Sequence, residues 1–324
     1  MTGPYPLTFE PILKEKVWGG RRLARYGKPL PEGALVGESW EVADLVETSA
    51  SGGGGGEARS VIASGPMAGR TLHDVMEAWG GALLGRARPA ADGGFPLLVK
   101  FLDAREHLSV QVHPSPEYAR EHPGAHLKTE CWYVLEADLG SVIYKGVKRG
   151  VARADFERAL RRGQGEGVVA LLEAVPAVRG ECHNLPSGTV HALGAGVLVA
   201  EVQTPSDTTF RVYDWAKEYG RAGRELHVEQ AMACIDVKPA PRAVKFFGEG
   251  TLPMVSTAFY TVTAAGRGTT DLAGGCTVVV CAAGRIAVGE TRLKAGGVVL
   301  VPAGVGLRVD HSEGAALLVG LAAR

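Results

Sequence analysis

The sequence predicts a mostly β protein with a helical insertion and a second, smaller β unit at the C-terminus. Three observations lead there. Forty-five glycines and eighteen prolines are scattered without a period along 324 residues, which suits short strands joined by tight turns. The run Leu108-Ser109-Val110-Gln111-Val112-His113 alternates with period two, as a half-buried strand does. From about Val255 to Leu321 the chain reads as strands punctuated by Gly274-Gly275, Ala283-Gly284, Gly296-Gly297 and Ala303-Gly304.

Taken in order, the elements are these. Ser51 with Gly52 to Gly56 is expected to be a mobile surface loop, because glycines pack no side chain and cost backbone entropy to order. Only Glu57 and Ala58 follow, so the strand-then-helix frame of a phosphate-cradling loop is absent. Thr71 opens an amphipathic helix carrying Leu72, Val75, Met76, Trp79 and Leu83 on one face, with Asp74 placed to complete a capping box. Pro96 to Leu102 and Leu108 to His113 read as two buried strands, and Cys131 to Leu135 as a third that Glu130 precedes. Between Ala154 and Val178 the pattern turns helical twice, over Phe156 to Leu160 and over Val168 to Leu172. Strand character returns at Leu198 to Val202, and a short helix is expected from Val228 to Cys234.

An internal echo divides the chain. Leu185-Pro186-Ser187-Gly188-Thr189-Val190-His191 and Val301-Pro302-Ala303-Gly304-Val305-Gly306-Leu307 share an apolar-Pro-small-Gly form, a tight turn that delivers its seventh residue onto the next strand. That residue is His191 in the first copy and Leu307 in the second. A duplicated unit whose second copy has lost a polar site is the expectation.

Charge excludes some functions. Lys plus Arg and Asp plus Glu both number 35, and no basic stripe tracks a phosphate backbone, so nucleic acid is not an expected partner. No apolar run approaches the ~18 residues that span a bilayer, and the start of the chain has no signal-peptide pattern. Five cysteines without CxxC spacing suit reduced thiols. A soluble cytoplasmic protein is expected.

Period-two alternation puts Gln111 and His113 on one strand face, shared with Ser109 and His107, while Val110 and Val112 point the other way. A face polar over several residues demands partners, which favours a polar-lined cavity over a dry core. Glu130 at a strand start and His191 after its turn can meet such a face. A lone strand histidine is nevertheless more often a satisfied core or surface residue than a ligand, and Gln is an uncommon ligand, so spacing alone leaves metal binding open.

Phe95-Pro96-Leu97-Leu98-Val99-Lys100-Phe101-Leu102-Asp103-Ala104, Leu108 to Pro114, Lys128-Thr129-Glu130-Cys131-Trp132-Tyr133-Val134 and Pro186 to Ala192 resemble the type I mannose-6-phosphate isomerases. So do Trp18-Gly19-Gly20 and Gly37-Glu38-Ser39-Trp40-Glu41, and the ordered matches run from about residue 9 to 236. The resemblance implies a cupin-type jelly roll in residues 1–240, with its helical insertion at about 154–178, and a degenerate cupin repeat in residues 241–324. It implies one Zn²⁺ per chain held by Gln111, His113, Glu130 and His191, a set that leaves the ion net positive charge for Lewis-acid chemistry; Fe²⁺, Mn²⁺ and Co²⁺ suit the same donors.

The implied reaction interconverts mannose 6-phosphate and fructose 6-phosphate through an enediol. Lys128, on the face of Glu130, is the expected proton-transfer group, since a neighbouring cation and burial favour a neutral amine. Arg211 is expected to stabilise oxyanion charge or clamp the substrate, the alternative being a structural pair with Asp207 or Asp214. Ser109 and Lys217 are the candidates for the phosphate. His107, His122, His126 and His183 are unassigned. A non-catalytic metal cupin that binds a sugar phosphate is the alternative, and other cupin chemistries are expected to carry H-x-H where this chain has Gln111-x-His113. A sugar phosphate is the expected partner, with the chain a monomer or homodimer and neither nucleic acid nor membrane involved.

Overall fold

A computed structural model describes residues 3–49, 55–162, 165 and 167–323. Its first fourteen strands are β1 (Ile12–Gly20), β2 (Val36–Val42), β3 (Asp44–Leu45), β4 (Ala58–Arg59), β5 (Leu98–Ala104), β6 (Val110–Val112), β7 (Glu130–Ala137), β8 (Val142–Val147), β9 (Leu172–Pro176), β10 (Glu181–Leu185), β11 (His191–Leu193), β12 (Val197–Gln203), β13 (Phe210–Tyr213) and β14 (Val244–Lys245). Twelve of them build a seven-stranded sheet, β1-β2-β5-β12-β7-β10-β14, and a five-stranded sheet, β13-β6-β11-β8-β9, while β3 and β4 pair with each other. From β5 to β13 the chain hops back and forth between the two sheets, as in a jelly roll.

Register decides what faces the interior. Across the large sheet Trp40 lies opposite Lys100, Lys100 opposite Glu201, Glu201 opposite Trp132, and Trp132 opposite His183. Across the small sheet Arg211 lies opposite Gln111, Gln111 opposite His191, and His191 opposite Lys145. Paired residues of antiparallel strands project to the same face. Two polar rows therefore confront each other between the sheets, above an apolar floor that includes Leu102, Trp132, Ile143, Leu193 and Val199.

The outer faces are apolar and covered. Val99, Phe101, Cys131, Ala200 and Val202 of the large sheet share one core with Tyr260, Val262, Val278 and Leu317 from the C-terminal strands. Those strands are β15 (Gly250–Ser256), β16 (Tyr260–Gly266), β17 (Thr269–Asp271), β18 (Thr277–Val288), β19 (Thr291–Lys294), β20 (Val298–Val301), β21 (Arg308–Asp310) and β22 (Gly314–Leu321), a further antiparallel sheet. Tyr260 Oη donates to the Val202 carbonyl at 3.1 Å across the junction. Val110, Val112 and Val212 of the small sheet are covered by Phe156 and Leu160 of one helix (Arg153–Arg161) and by Ala231 and Met232 of another (Val228–Cys234).

The helix opened by Thr71 is present as Leu72–Trp79, and both halves of its capping box form. It stops at Gly80, whose φ of 46° breaks the ladder, and Leu83 lies on a separate turn. The second helical pattern, Val168 to Leu172, is a correction: Val169–Leu171 make a single 3₁₀ turn and Leu172–Pro176 continue as β9. A five-residue apolar run is too short to sustain a helix, whereas the edge of β8 offers it a ladder. The glycine run from 51 to 54 lies outside the described residues; Gly55 and Gly56 beyond it both have positive φ.

The two echoed turns share their geometry. Gly188 and Gly304 have φ of 83° and 76°, and Thr189 N and Val305 N donate to the carbonyls of Pro186 and Pro302. All five cysteines are buried free thiols. Among the described residues no helix is long and apolar enough to cross a membrane.

Candidate metal centre and active site

The two polar rows converge on a buried trio. His113 follows β6, Glu130 begins β7 and His191 begins β11. Glu130 Oε1 lies 3.0 Å from His191 Nε2, and Glu130 Oε2 lies 3.4 Å from His113 Nε2. The Gln111 amide sits 3.3 Å from His191 Nε2, so the fourth expected ligand faces the same point. The period-two spacing of Gln111 and His113 brings both inward, and the positive-φ turn at Gly188 swings His191 onto the strand beside them.

Donors and acceptors around the trio fit a cation. The Nδ1 atoms of His113 and His191 lie 3.0 and 2.8 Å from the carbonyls of Thr208 and Thr189, which makes them donors and leaves each Nε2 with a lone pair aimed inward. His113 Nε2 and both Glu130 oxygens are buried and, although charged neighbours are close, form no aligned hydrogen bond. Burial pushes the His113 imidazole down to about 3, with Lys128 adding to the effect, so it is neutral. For Glu130 burial opposes ionisation, but Lys128 and His113 outweigh it and hold the carboxyl well below its usual range. A neutral His113 imidazole and an ionised Glu130 carboxylate, both short of partners, beside His191 are what a divalent ion with N/O preference requires.

Comparison with known proteins gives this geometry a family. Residues 7–143 match the model of the phosphomannose isomerase type I catalytic domain. The mannose-6-phosphate isomerase of Streptococcus mutans is 37% identical over 264 residues, which are 79% of this chain and 77% of that protein. The chain belongs to the type I mannose-6-phosphate isomerase family. Bacillus subtilis ManA, a mannose-6-phosphate isomerase, is 36% identical over 238 residues, 73% of this chain and 70% of its own. Among solved structures, the Bacillus subtilis mannose 6-phosphate isomerase superposes with a TM-score of 0.76 at 27% identity, covering 97% of this chain and 99% of that one. A mannose 6-phosphate isomerase solved with zinc and yttrium shares the fold, at a TM-score of 0.69, 18% identity and coverage of 98% and 99%.

Beside the trio of this family member a narrow cavity of about 70 Å³ opens between the sheets. Lys128, Gln111, Ser109 and Arg211 line it, Gln111 and Ser109 from the strand face that alternation assigned. Lys128 Nζ lies 2.9 Å from Glu130 Oε2 and 3.8 Å from Glu201 Oε1. Arg211 is buried, and burial with Arg224 nearby pushes its guanidinium down to about 10. Lys217 is exposed on the turn after Trp215 and is not part of the cavity wall. The four unassigned histidines stay outside the trio: His107 stacks on Trp215 at 4.5 Å, His122 stacks on Tyr118, His126 is exposed, and His183 is buried beyond Trp132.

The wall also holds residues to which sequence reasoning gave no role. Lys100 Nζ bridges Glu38 Oε2 at 3.3 Å and Glu201 Oε1 at 3.2 Å, while Trp132 Nε1 donates to Glu201 Oε2 and Trp40 Nε1 to Glu38 Oε2. Alternating charges thus run from Glu38 through Lys100, Glu201 and Lys128 to Glu130. Burial works against Lys100's charge, yet Glu201 and Glu38 raise its pKa overall; Glu201, buried and close to Glu130, is raised as well. The available signal was a single charge inside an apolar strand, Lys100 in Leu97-Leu98-Val99-Lys100-Phe101-Leu102 and Glu201 in Leu198-Val199-Ala200-Glu201-Val202. Arg224 lines the cavity too, from a loop with no such signal.

Proposed function

We propose that the chain is a metal-dependent isomerase that interconverts mannose 6-phosphate and fructose 6-phosphate, with Zn²⁺ held by Gln111, His113, Glu130 and His191. The observation that carries this reading is the buried trio of His113, Glu130 and His191, with His113 Nε2 and both Glu130 oxygens lacking a hydrogen-bond partner, beside a cavity that Lys128 and Arg211 line. Two imidazoles, a carboxylate and a carboxamide suit Zn²⁺ and leave it net positive, and when bound it would supply Lewis-acid polarisation of the sugar oxygens.

The chain's own groups account for the rest. Aldose-ketose isomerisation removes the proton on C2, returns one to C1 and moves a hydroxyl proton between O1 and O2, with no external oxidant. Lys128 is the group we assign to the carbon-bound proton, because its amine faces the cavity beside Glu130 and can pass a proton to Glu201. Arg211 is assigned to oxyanion charge on the substrate, since its buried guanidinium lines the cavity and its Nε–H has no hydrogen-bond partner. Ser109, on the cavity wall, and Lys217, exposed on the turn after Trp215, are the candidates for the phosphate. Five buried free thiols support work in the reducing cytoplasm.

The test is conversion of mannose 6-phosphate to fructose 6-phosphate by the purified protein, before and after chelation, with metal content measured in parallel. Activity lost on chelation and restored by Zn²⁺ is the expected result. A metal-replete protein with no turnover would overturn the isomerase reading and favour a sugar-phosphate-binding cupin.

A further inference from the structure

One end of the cavity is lined by two arginines, Arg211 and Arg224. After β13 the chain turns sharply at Trp215, whose φ of 52° is rare for a side-chain-bearing residue, and the indole is fixed by stacking on His107. The turn aims the buried Asp214 carboxylate at residues ten positions further on. Arg224 donates its backbone N–H to Asp214 Oδ2 at 2.8 Å, its Nε to Oδ1 at 2.7 Å, and its Nη2 to Oδ1 as well. Arg221 Nη1 reaches Oδ2 at 3.2 Å, and Arg211 Nε lies 4.0 Å from Oδ1. Three guanidiniums share one carboxylate.

Arg221 is balanced by a second acid, Glu106, at 3.7 Å. Arg211 and Arg224 are left with Asp214 between them, and both line the cavity. Arg211 is 4% exposed; its Nη1 donates to the Glu225 carbonyl at 2.8 Å, and its buried Nε is without a hydrogen-bond partner. Farther in, Lys16, Lys100 and Lys128 are matched by Glu38, Glu201 and Glu130. Asp207, also on the wall, is held by Ser49 N and Oγ. Arg211 and Arg224 thus bring two guanidiniums to one end of the cavity, where a doubly charged tetrahedral oxyanion would meet two planar donor forks.

We infer that Arg224, positioned by Asp214, is a specificity-determining residue that grips the phosphoryl end of the substrate together with Arg211. The inference rests on the isomerase reading and deepens it. Asp214 acts through Arg224: it fixes the fork while leaving Nη1 to the ligand. Remote binding energy of this kind orients the reacting carbons at the metal, so its loss falls mainly on KM.

The test uses the zinc-loaded full chain and its R224Q, R224K, D214N, K217A and R224Q/D214N variants. Kinetics with mannose 6-phosphate are read beside calorimetric binding of inorganic phosphate. R224Q is expected to raise KM at least tenfold and to weaken phosphate binding by a similar factor, with R224K recovering part of both. D214N is expected to shift KM in the same direction but to add little in the R224Q background. Unchanged KM and phosphate affinity in R224Q would overturn the proposal, as would a loss found in K217A and not in R224Q. Equal effects of D214N with and without Arg224 would overturn the positioning role of Asp214. Phosphate binding needs no turnover, so a wild-type protein that binds phosphate through Arg224 without isomerising the sugar would sink the isomerase reading alone.

Discussion

Glu38 gives a stability prediction with a definite dependence on pH. Its carboxylate is buried between Lys100, at 3.3 Å, and Lys16, at 3.5 Å, and accepts the Trp40 indole N–H at 2.7 Å. Burial alone would raise its pKa, but Lys100 and Lys16 overcome that and hold it at about 2 against 4.5 for the free group. A folded-state pKa below the unfolded one contributes stability that is fully present above the unfolded value and fades as pH falls through the folded one. The difference is worth about 3 kcal/mol at pH 7 and about 2 kcal/mol at pH 3.5. Glu38→Gln keeps the shape and can still accept from Trp40, while Lys100 retains Glu201 at 3.2 Å. Urea unfolding of wild type and E38Q, with metal chelated so that ligand protonation does not enter, should show the variant less stable by about 3 kcal/mol at pH 7 and by about 1 kcal/mol less than that at pH 3.5. A gap that is the same at both pH values, or absent at pH 7, would refute the charge ladder as a stabilising device.

Three further outcomes follow from particular contacts. Zinc at a hundredfold excess over its Kd should stabilise the chelated protein by about 2.7 kcal/mol in thermal unfolding, and His191→Ala should abolish the gain; an unchanged response in H191A would remove His191 from the ligand set. Tyr260→Phe deletes the hydrogen bond to the Val202 carbonyl across the two β units and should cost about 1 kcal/mol by denaturant titration, whereas a neutral result would mean that apolar packing alone holds the junction. Gly188→Ala places a Cβ 2.9 Å from the Cys234 carbonyl at a φ of 83°, so it should lower stability by about 1–2 kcal/mol and reduce bound zinc through misplacement of His191; full metal content at an unchanged melting temperature would contradict this.

What was legible in the sequence divides along the distance over which information must travel. Gln111 and His113 declare their shared face through local alternation, and His191 through a proline-glycine turn immediately before it, so a reader of single segments can place three of the expected ligands. Lys100 and Glu38 are 62 residues apart, and their pairing exists only once β2 and β5 are in register; before that, Lys100 is an isolated charge in an apolar strand and Glu38 one of two acids in its own. The misread stretch at Val168 to Leu172 belongs with them, because a short apolar run carries no period of its own and the edge of β8 decided its conformation. Arg224 is harder still, since neither period nor motif marks a loop residue and its position depends on the backward turn at Trp215. Local pattern thus exposes the residues that hold the expected metal, while the groups that balance charge and select the substrate's far end become visible only through tertiary neighbours. Substitutions among the latter should accordingly alter pH response and KM before they alter metal content, which is the order in which E38Q, R224Q and H191A would separate.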